Sequence, residues 1–367
     1  MKKICIVVGA RPNFVKVAPL IRAIQKTDGA DYELIYTGRR DDPTLEPSLF
    51  EDLQMPRPQV CFGVDSTKLN EITSQVMDKF DSYLEFSPAD IVIVVDDLAS
   101  TMAAAITAKK RGIKVAHLVA GTRSFDMNMP KEVNRLVIDA LSDYLFTAGV
   151  KSNSVASREQ AEGSNTYMVG NILMDNLRFN RDRFCKPAID VEENGYLVFT
   201  LNRKALLADE EKLRQLLEAM TAAAGTMPII APLRGQAHEV VSRLSADSSL
   251  FTLHSSLFTL HSSLFTLHSS LPYLVFGWLT AHARGIITDS GNVAEEATFN
   301  GVPCITLNSY TEHQETVTVG SNVLVGEDPE KLHEAVTQMV KGEWKKCALP
   351  DRWDGRTAER IVSILLS

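Results

Sequence analysis

Two α/β halves, each a parallel sheet with crossover helices, are what this sequence predicts. Three observations carry the prediction. Short β-rich apolar runs alternate with longer amphipathic segments. The alternation breaks once, at the loop-like stretch 178–194, and then starts a second round. At 367 residues the chain also exceeds what one ordinary hydrophobic core accommodates.

The first round opens with an apolar strand at 4–8, stopped by Gly9-Ala10-Arg11-Pro12. Residues 13–26 then place Phe14, Val15, Val17, Leu20, Ile21 and Ile24 at helical spacing. A second strand is expected at 34–36 and a helix at 69–86. The all-branched run 91–95 has the composition of a strand buried on both faces. An Ala-rich helix at 100–111 ends at Gly112, and strands follow at 114–118 and 144–147. The second round begins near Gly195, with strands at 196–200, 228–231, 285–288 and 303–307. Its helices fall at about 209–224, 292–299 and 329–341, and a last helix at 356–366 follows the turn-rich 350–355. The chain therefore divides into an N-terminal Rossmann-like domain over 1–180, a C-terminal Rossmann-like domain over 190–350, and a terminal segment, 351–367, expected to pack back on the first. The two parallel sheets are expected to face a central cleft.

One stretch breaks the pattern. Ser-Ser-Leu-Phe-Thr-Leu-His occurs in tandem at 248–254, 255–261 and 262–268. Its leucines recur at heptad spacing, but Ser, Thr, Phe and His are poor helix formers, so one strand plus an added loop is expected rather than a zipper. His254, His261 and His268 recur because the unit is copied, and no metal site is expected of them.

Composition narrows the partners. A formal charge of −8 argues against nucleic acid or an anionic membrane as the main partner. It leaves an anionic small ligand open, because helix N-termini and local Arg residues hold phosphate in acidic proteins. The five cysteines lack metal-ligand or redox spacing, and their use fits a reducing, cytoplasmic compartment. The apolar run after Lys2-Lys3 stops at Gly9, too soon for an export signal, so a buried first strand is expected.

Four segments concentrate polar chemistry at strand ends. In Gly9-Ala10-Arg11-Pro12 with Lys16, Gly9 allows a tight turn and Arg11 can fork onto phosphate; a structural turn with a surface Arg fits the same residues. Asp289-Ser290-Gly291-Asn292 runs from a strand into a helix carrying Glu295 and Glu296. Its amides suit a diphosphate and Glu296 suits ribose hydroxyls, although an ordinary N-capped helix reads identically. Asp96-Asp97 follows the 91–95 strand, as an acid/base pair or as a helix cap. Arg123, Glu132, Asn134 and Arg135 form a dense polar set, which surface ion pairs would also explain.

Together these segments resemble the non-hydrolysing UDP-N-acetylglucosamine 2-epimerase family. Gly9-x-Arg11-Pro12 with Lys16, Arg123-Ser124-Phe125-Asp126 with Met129-Pro130-x-Glu132-x-Asn134-Arg135, Val169-Gly170-Asn171, Asp289-Ser290-Gly291 with Glu295-Glu296-Ala297, and Thr311-Glu312 arrive in the family's order. The resemblance implies a GT-B-like fold, a homodimer, and no metal or other cofactor. It implies C2 inversion of UDP-GlcNAc by elimination of UDP and readdition, in surface polysaccharide synthesis. It assigns Asp97, Glu132 and Arg135 to catalysis. Arg11, Lys16, Arg123, Arg203, Arg234, Ser290, Gly291, Asn292, Glu296 and Glu312 are assigned to the UDP-sugar.

The family pattern breaks where protons should move. His-Val-Glu-Ala-Gly-Leu-Arg is here His117-Leu118-Val119-Ala120-Gly121-Thr122-Arg123; Pro-Glu-Glu is Pro130-Lys131-Glu132; Leu-His-Arg is Leu201-Asn202-Arg203; Pro-Val-His is Pro232-Leu233-Arg234; and Gly-Asp is Asp96-Asp97. General acids and bases contribute about 10²–10⁴-fold each, so Val119, Lys131 and Asn202 imply a member that binds a UDP-sugar without turning it over. An active 2-epimerase and, more distantly, a GT-B glycosyltransferase stay open as alternatives.

Overall fold

The computed structural model describes residues 1–246 and 265–367. Two compact units emerge: Met1–Asn180 with Asp351–Ser367, and Arg181–Pro350.

The first unit is built on seven parallel strands: β1 (Lys2–Val8), β2 (Ala30–Tyr36), β3 (Val60–Cys61), β4 (Ile91–Val95), β5 (Lys114–Ala120), β6 (Tyr144–Thr147) and β7 (Asn165–Met168), in the order β3-β2-β1-β4-β5-β6-β7. Every residue of β4 is buried, as its Ile/Val composition requires of a central strand covered on both faces. Pro12 stands in the first turn of the helix Arg11–Gln25, where its missing N–H costs nothing. The terminal helix Thr357–Leu366 packs against that helix. It is capped from outside, with the amides of Thr357 and Ala358 donating to Asp175 at 3.1 and 2.8 Å. Trp353 is buried and donates its indole N–H to the Ala148 carbonyl at 2.9 Å. Gly170, at φ +103°, lets the Arg352 carbonyl pass 2.1 Å from where a Cβ would sit.

The second unit has six parallel strands: β8 (Leu197–Thr200), β9 (Ile229–Pro232), β10 (Phe265–His268), β11 (Gly285–Thr288), β12 (Cys304–Thr306) and β13 (Asn322–Leu324), in the order β10-β9-β8-β11-β12-β13. Leu213, Leu216, Leu217 and Met220 of the helix Glu210–Ala224 pack with Leu332, Val336 and Met339 of Pro329–Lys341 on one face of this sheet. The third repeat copy supplies β10, whose Phe265 pairs with Ile229. The first two copies, with His254 and His261, lie outside the described residues.

Several expectations need correction. The stretch 178–194 is not loop throughout: it begins inside the helix Leu173–Asn180 and continues as a 3-10 turn, Arg181–Arg183. The helices Pro130–Leu141 and Tyr273–Ala281 and the strands β3, β7 and β13 were not anticipated. The strands are short, and β7 (Asn-Thr-Tyr-Met) is a polar edge strand without an apolar run.

Strand order positions the polar segments. In each sheet the order reverses once, between β1 and β4 and between β8 and β11, and right-handed crossovers on either side of such a point leave to opposite faces. A crevice at the carboxyl ends follows. Gly9–Arg11 and Asp96-Asp97 flank the first switch point; Asn202-Arg203 and Asp289-Ser290 flank the second.

Candidate functional site

In the first unit, Gly9 follows β1 without a left-handed backbone, so the turn into the next helix does not by itself demand glycine. A Cβ there would lie 2.1 Å from Ser100 Oγ, so glycine accommodates the close approach of the helix Ala99–Lys110 that follows β4. Asn13 closes the turn, accepting from the amides of Gly9 and Ala10 at 3.0 and 3.2 Å. Across the switch point Asp96 accepts from Lys16 Nζ at 2.5 Å and from Asn13 Nδ2 at 2.8 Å. Lys16, expected on the ligand, is thus neutralised within the protein. Arg11 keeps its Nε 3.5 Å from the Glu46 carboxylate.

Asp97 is held at both oxygens. Arg135 donates to Oδ2 from Nε (2.9 Å) and Nη2 (2.5 Å), and Lys131 Nζ lies 3.3 Å from Oδ1. Asn134 fixes its backbone, donating to the Asp97 carbonyl at 2.8 Å. Burial works to raise the Asp97 pKa, but the charges of Lys131 and Arg135 outweigh it and hold the carboxyl below its ordinary range. Glu132 is equally committed: it accepts from the Ser124 amide (2.8 Å) and hydroxyl (2.9 Å), the Phe125 amide (3.0 Å) and Arg135 Nη1 (3.2 Å). Burial again opposes ionisation, and the Ser124 and Phe125 donors overcome it.

Arg123 departs from its expected role. Its side chain is 2% exposed, with the guanidinium 2.7 Å from Asp139 and 2.8 Å from Glu159. Asp139 also meets His117 Nδ1 at 2.5 Å and the Gly121 amide at 3.0 Å, while His117 Nε2 lies 2.8 Å from the Asp96 carbonyl. These groups brace the strand ends from below. Asp139 was missed in the sequence, although Glu132, Arg135 and Asp139 stand at helical spacing on one face of Pro130–Leu141.

Backbone strain gathers at the same place. Asp96 (φ +58°), Val119 (+75°) and Phe125 (+60°) all adopt left-handed conformations. For β-branched Val119, at a register break between β5 and β6, this is a true outlier. Strain of this kind persists only where surrounding structure over-determines it.

In the second unit the Asn202 amide donates to Asp289 Oδ2 at 2.8 Å, tying the ends of β8 and β11. Arg203 lies 3.1 Å from Glu327 and 3.3 Å from Asn308 Oδ1, whose Nδ2 donates to the Asp289 carbonyl at 3.0 Å. Ser290 precedes the helix Gly291–Asn300, its amide donating to Thr288 Oγ1 at 3.0 Å and its side chain making no capping bond. Among the described residues, and apart from its chain neighbours and its own helix backbone, a Cβ on Gly291 would meet nothing within 4 Å, so no packing there calls for glycine and the helix N-terminus stays open. Such an N-terminus suits a phosphate. Glu296 is buried on this helix; burial first and the adjacent Glu295 second push its pKa up to about 8. Arg234, after β9, is exposed; Asn292 and Glu312 are half-buried. All follow strand carboxyl ends, where a parallel sheet collects its loops.

Chemically, the second cluster offers amides and a protonated carboxyl to an anionic, hydroxyl-rich ligand. The first offers two carboxylates already compensated and depressed in pKa, the reverse of a base poised near neutrality.

A family model described as UDP-N-acetylglucosamine 2-epimerase matches residues 22–366. A UDP-N-acetylglucosamine 2-epimerase of Methanocaldococcus jannaschii is 34% identical, the alignment covering 99% of this chain and 98% of that protein. One from Methanococcus maripaludis is 30% identical over 100% and 98%. The crystal structure of the M. jannaschii enzyme in complex with UDP-GlcNAc and UDP superposes with a TM-score of 0.81 at 32% identity, covering 99% of both chains.

Proposed function

From the premise that this chain belongs to the UDP-N-acetylglucosamine 2-epimerase family, we propose that it binds a UDP-sugar and does not epimerise it. The diphosphate is assigned to the amides at Ser290, Gly291 and Asn292, and the ribose to Glu296. The family's proton-transfer positions are assigned to Asp97 and its neighbours. The relative solved with UDP-GlcNAc and UDP supports the ligand class.

One observation carries the loss of turnover: Asp97 is clamped as an anion between Lys131 and Arg135. Elimination across C2 needs a group that takes the C2 proton and one that serves the other face. Val119 and Asn202 cannot do so, and Lys131 is engaged with Asp97. The active reading keeps one observation of its own, the intact contacts among Asp97, Arg135 and Glu132.

Calorimetric titration with UDP and UDP-GlcNAc tests the binding half. Saturable binding of both, with a raised melting temperature, is expected; absence of either ligand's heat and shift would refute it.

A further inference from the structure

We infer that Asn308 is a positioning residue for the bound diphosphate, joining the Arg203 guanidinium to the turn that carries Ser290; this rests on the UDP-sugar reading above. Asn308 lies two residues beyond β12 and is half-buried, with its backbone carbonyl accepting from the Gly326 amide at 3.2 Å. Its side chain makes two bonds of opposite sense. Oδ1 accepts from Arg203 Nη1 at 3.3 Å, and Nδ2 donates to the Asp289 carbonyl at 3.0 Å. A guanidinium only donates and a carbonyl only accepts, so bridging them takes a side chain with both an acceptor end and a donor end, as an amide has.

Every group in this bridge lies within the unit Arg181–Pro350. Asp289 opens the turn with the Ser290, Gly291 and Asn292 amides, and its carboxylate accepts from the Asn202 amide at 2.8 Å. Arg203 follows Asn202 beyond β8, with its side chain 43% exposed. Its two side-chain contacts, to Asn308 and to Glu327 Oε1 at 3.1 Å, both fall on Nη1. Among the described residues, Nε and Nη2 make no hydrogen bond. That edge is the fork with which an arginine grips two oxygens of a phosphate, and anchoring at Nη1 leaves it available. Glu327 offsets part of the arginine's charge, whereas neutral Asn308 acts through position alone.

The test titrates UDP by calorimetry into the wild type, Asn308→Leu, Arg203→Ala and the double variant. Leucine keeps the volume of Asn308 and removes both of its bonds. Each single variant should bind UDP about tenfold more weakly, the scale of one charge-assisted hydrogen bond. The double variant should also lose about tenfold rather than the product, about a hundredfold, because both changes remove the same guanidinium contact. Unchanged UDP affinity in either single variant, or the full product in the double variant, would overturn the inference. Should Asn308→Leu fail to fold, Asn308→Ser, too short to span both partners, enters the same cycle with the same expected outcomes. If the wild type binds UDP and the single variants bind it equally well, this inference alone falls. If the wild type binds no UDP, the UDP-sugar reading falls and takes this inference with it.

Discussion

The Lys131 ammonium stands 3.3 Å from Asp97 Oδ1, on the oxygen opposite the one that Arg135 holds at 2.5 Å. A carboxylate clamped at both oxygens binds a proton poorly, and its pKa stays below the ordinary range despite burial. In the resemblance drawn from sequence, this lysine replaces a glutamate. On the proposed reading, that one substitution removes a candidate acid/base group, and the Lys131 charge helps to lower the pKa of Asp97.

Restoring the proton-moving side chains should restore exchange at C2. Val119→Glu/Lys131→Glu/Asn202→His is expected to show C2 exchange on UDP-GlcNAc where the wild type shows none. The gain will not be the product of single effects, because groups in one catalytic unit are not additive. A triple variant that folds, binds UDP-GlcNAc and still shows no exchange would count against the reasoning.

Gly291→Val should separate binding from folding. Among the described residues, and apart from its chain neighbours and its own helix backbone, no atom lies within 4 Å of the added Cβ, so the melting temperature should hold. The side chain would cover amides assigned to the diphosphate, so UDP affinity should drop by about tenfold or more, as when anion-binding amides are blocked. Unaltered UDP affinity in calorimetry would dissociate this turn from the nucleotide.

Glu296 supplies a pH prediction with a definite sign. Burial and Glu295 raise its pKa from 4.5 to about 8, so the folded state holds a proton that the unfolded state releases. Its favourable contribution is complete below pH 4.5 and is lost as pH rises through 8. Glu296→Gln mimics the protonated form. In urea titrations its stability relative to the wild type should therefore rise from pH 5 to pH 8, by up to about 1.4 kcal/mol per unit. A difference independent of pH would mean that Glu296 is ionised throughout.

Gly170→Ala should destabilise the first unit. The new Cβ would lie 2.1 Å from the Arg352 carbonyl on a backbone at φ +103°, and left-handed strain alone costs about 1–3 kcal/mol. A midpoint in urea equal to the wild type's would show that the 351–367 segment shifts freely to accommodate it.

The sheets were legible because buried parallel strands announce themselves. Ile91–Val95 can hardly be anything else, and carboxyl-end loops follow from strand order. Polar elements were not: Pro130–Leu141 carries four charged residues, which hid its helical face among candidate site residues. Within the clusters, residue type was readable but partnership was not. Arg123 looked like a ligand contact because its partners, Asp139 and Glu159, lie far along the chain. Lys16 finds Asp96 from 80 residues away. Left-handed conformations at Asp96, Val119 and Phe125 carry no signal in residue type, since each is imposed by tertiary contacts.

The decisive experiment incubates purified protein with UDP-GlcNAc in deuterated buffer and follows the sugar's C2 position by proton NMR. Nucleotide sugar bound yet chemically untouched predicts a C2 resonance that persists for as long as the protein stays folded. Washing-out of that resonance as the manno isomer accumulates would contradict the account.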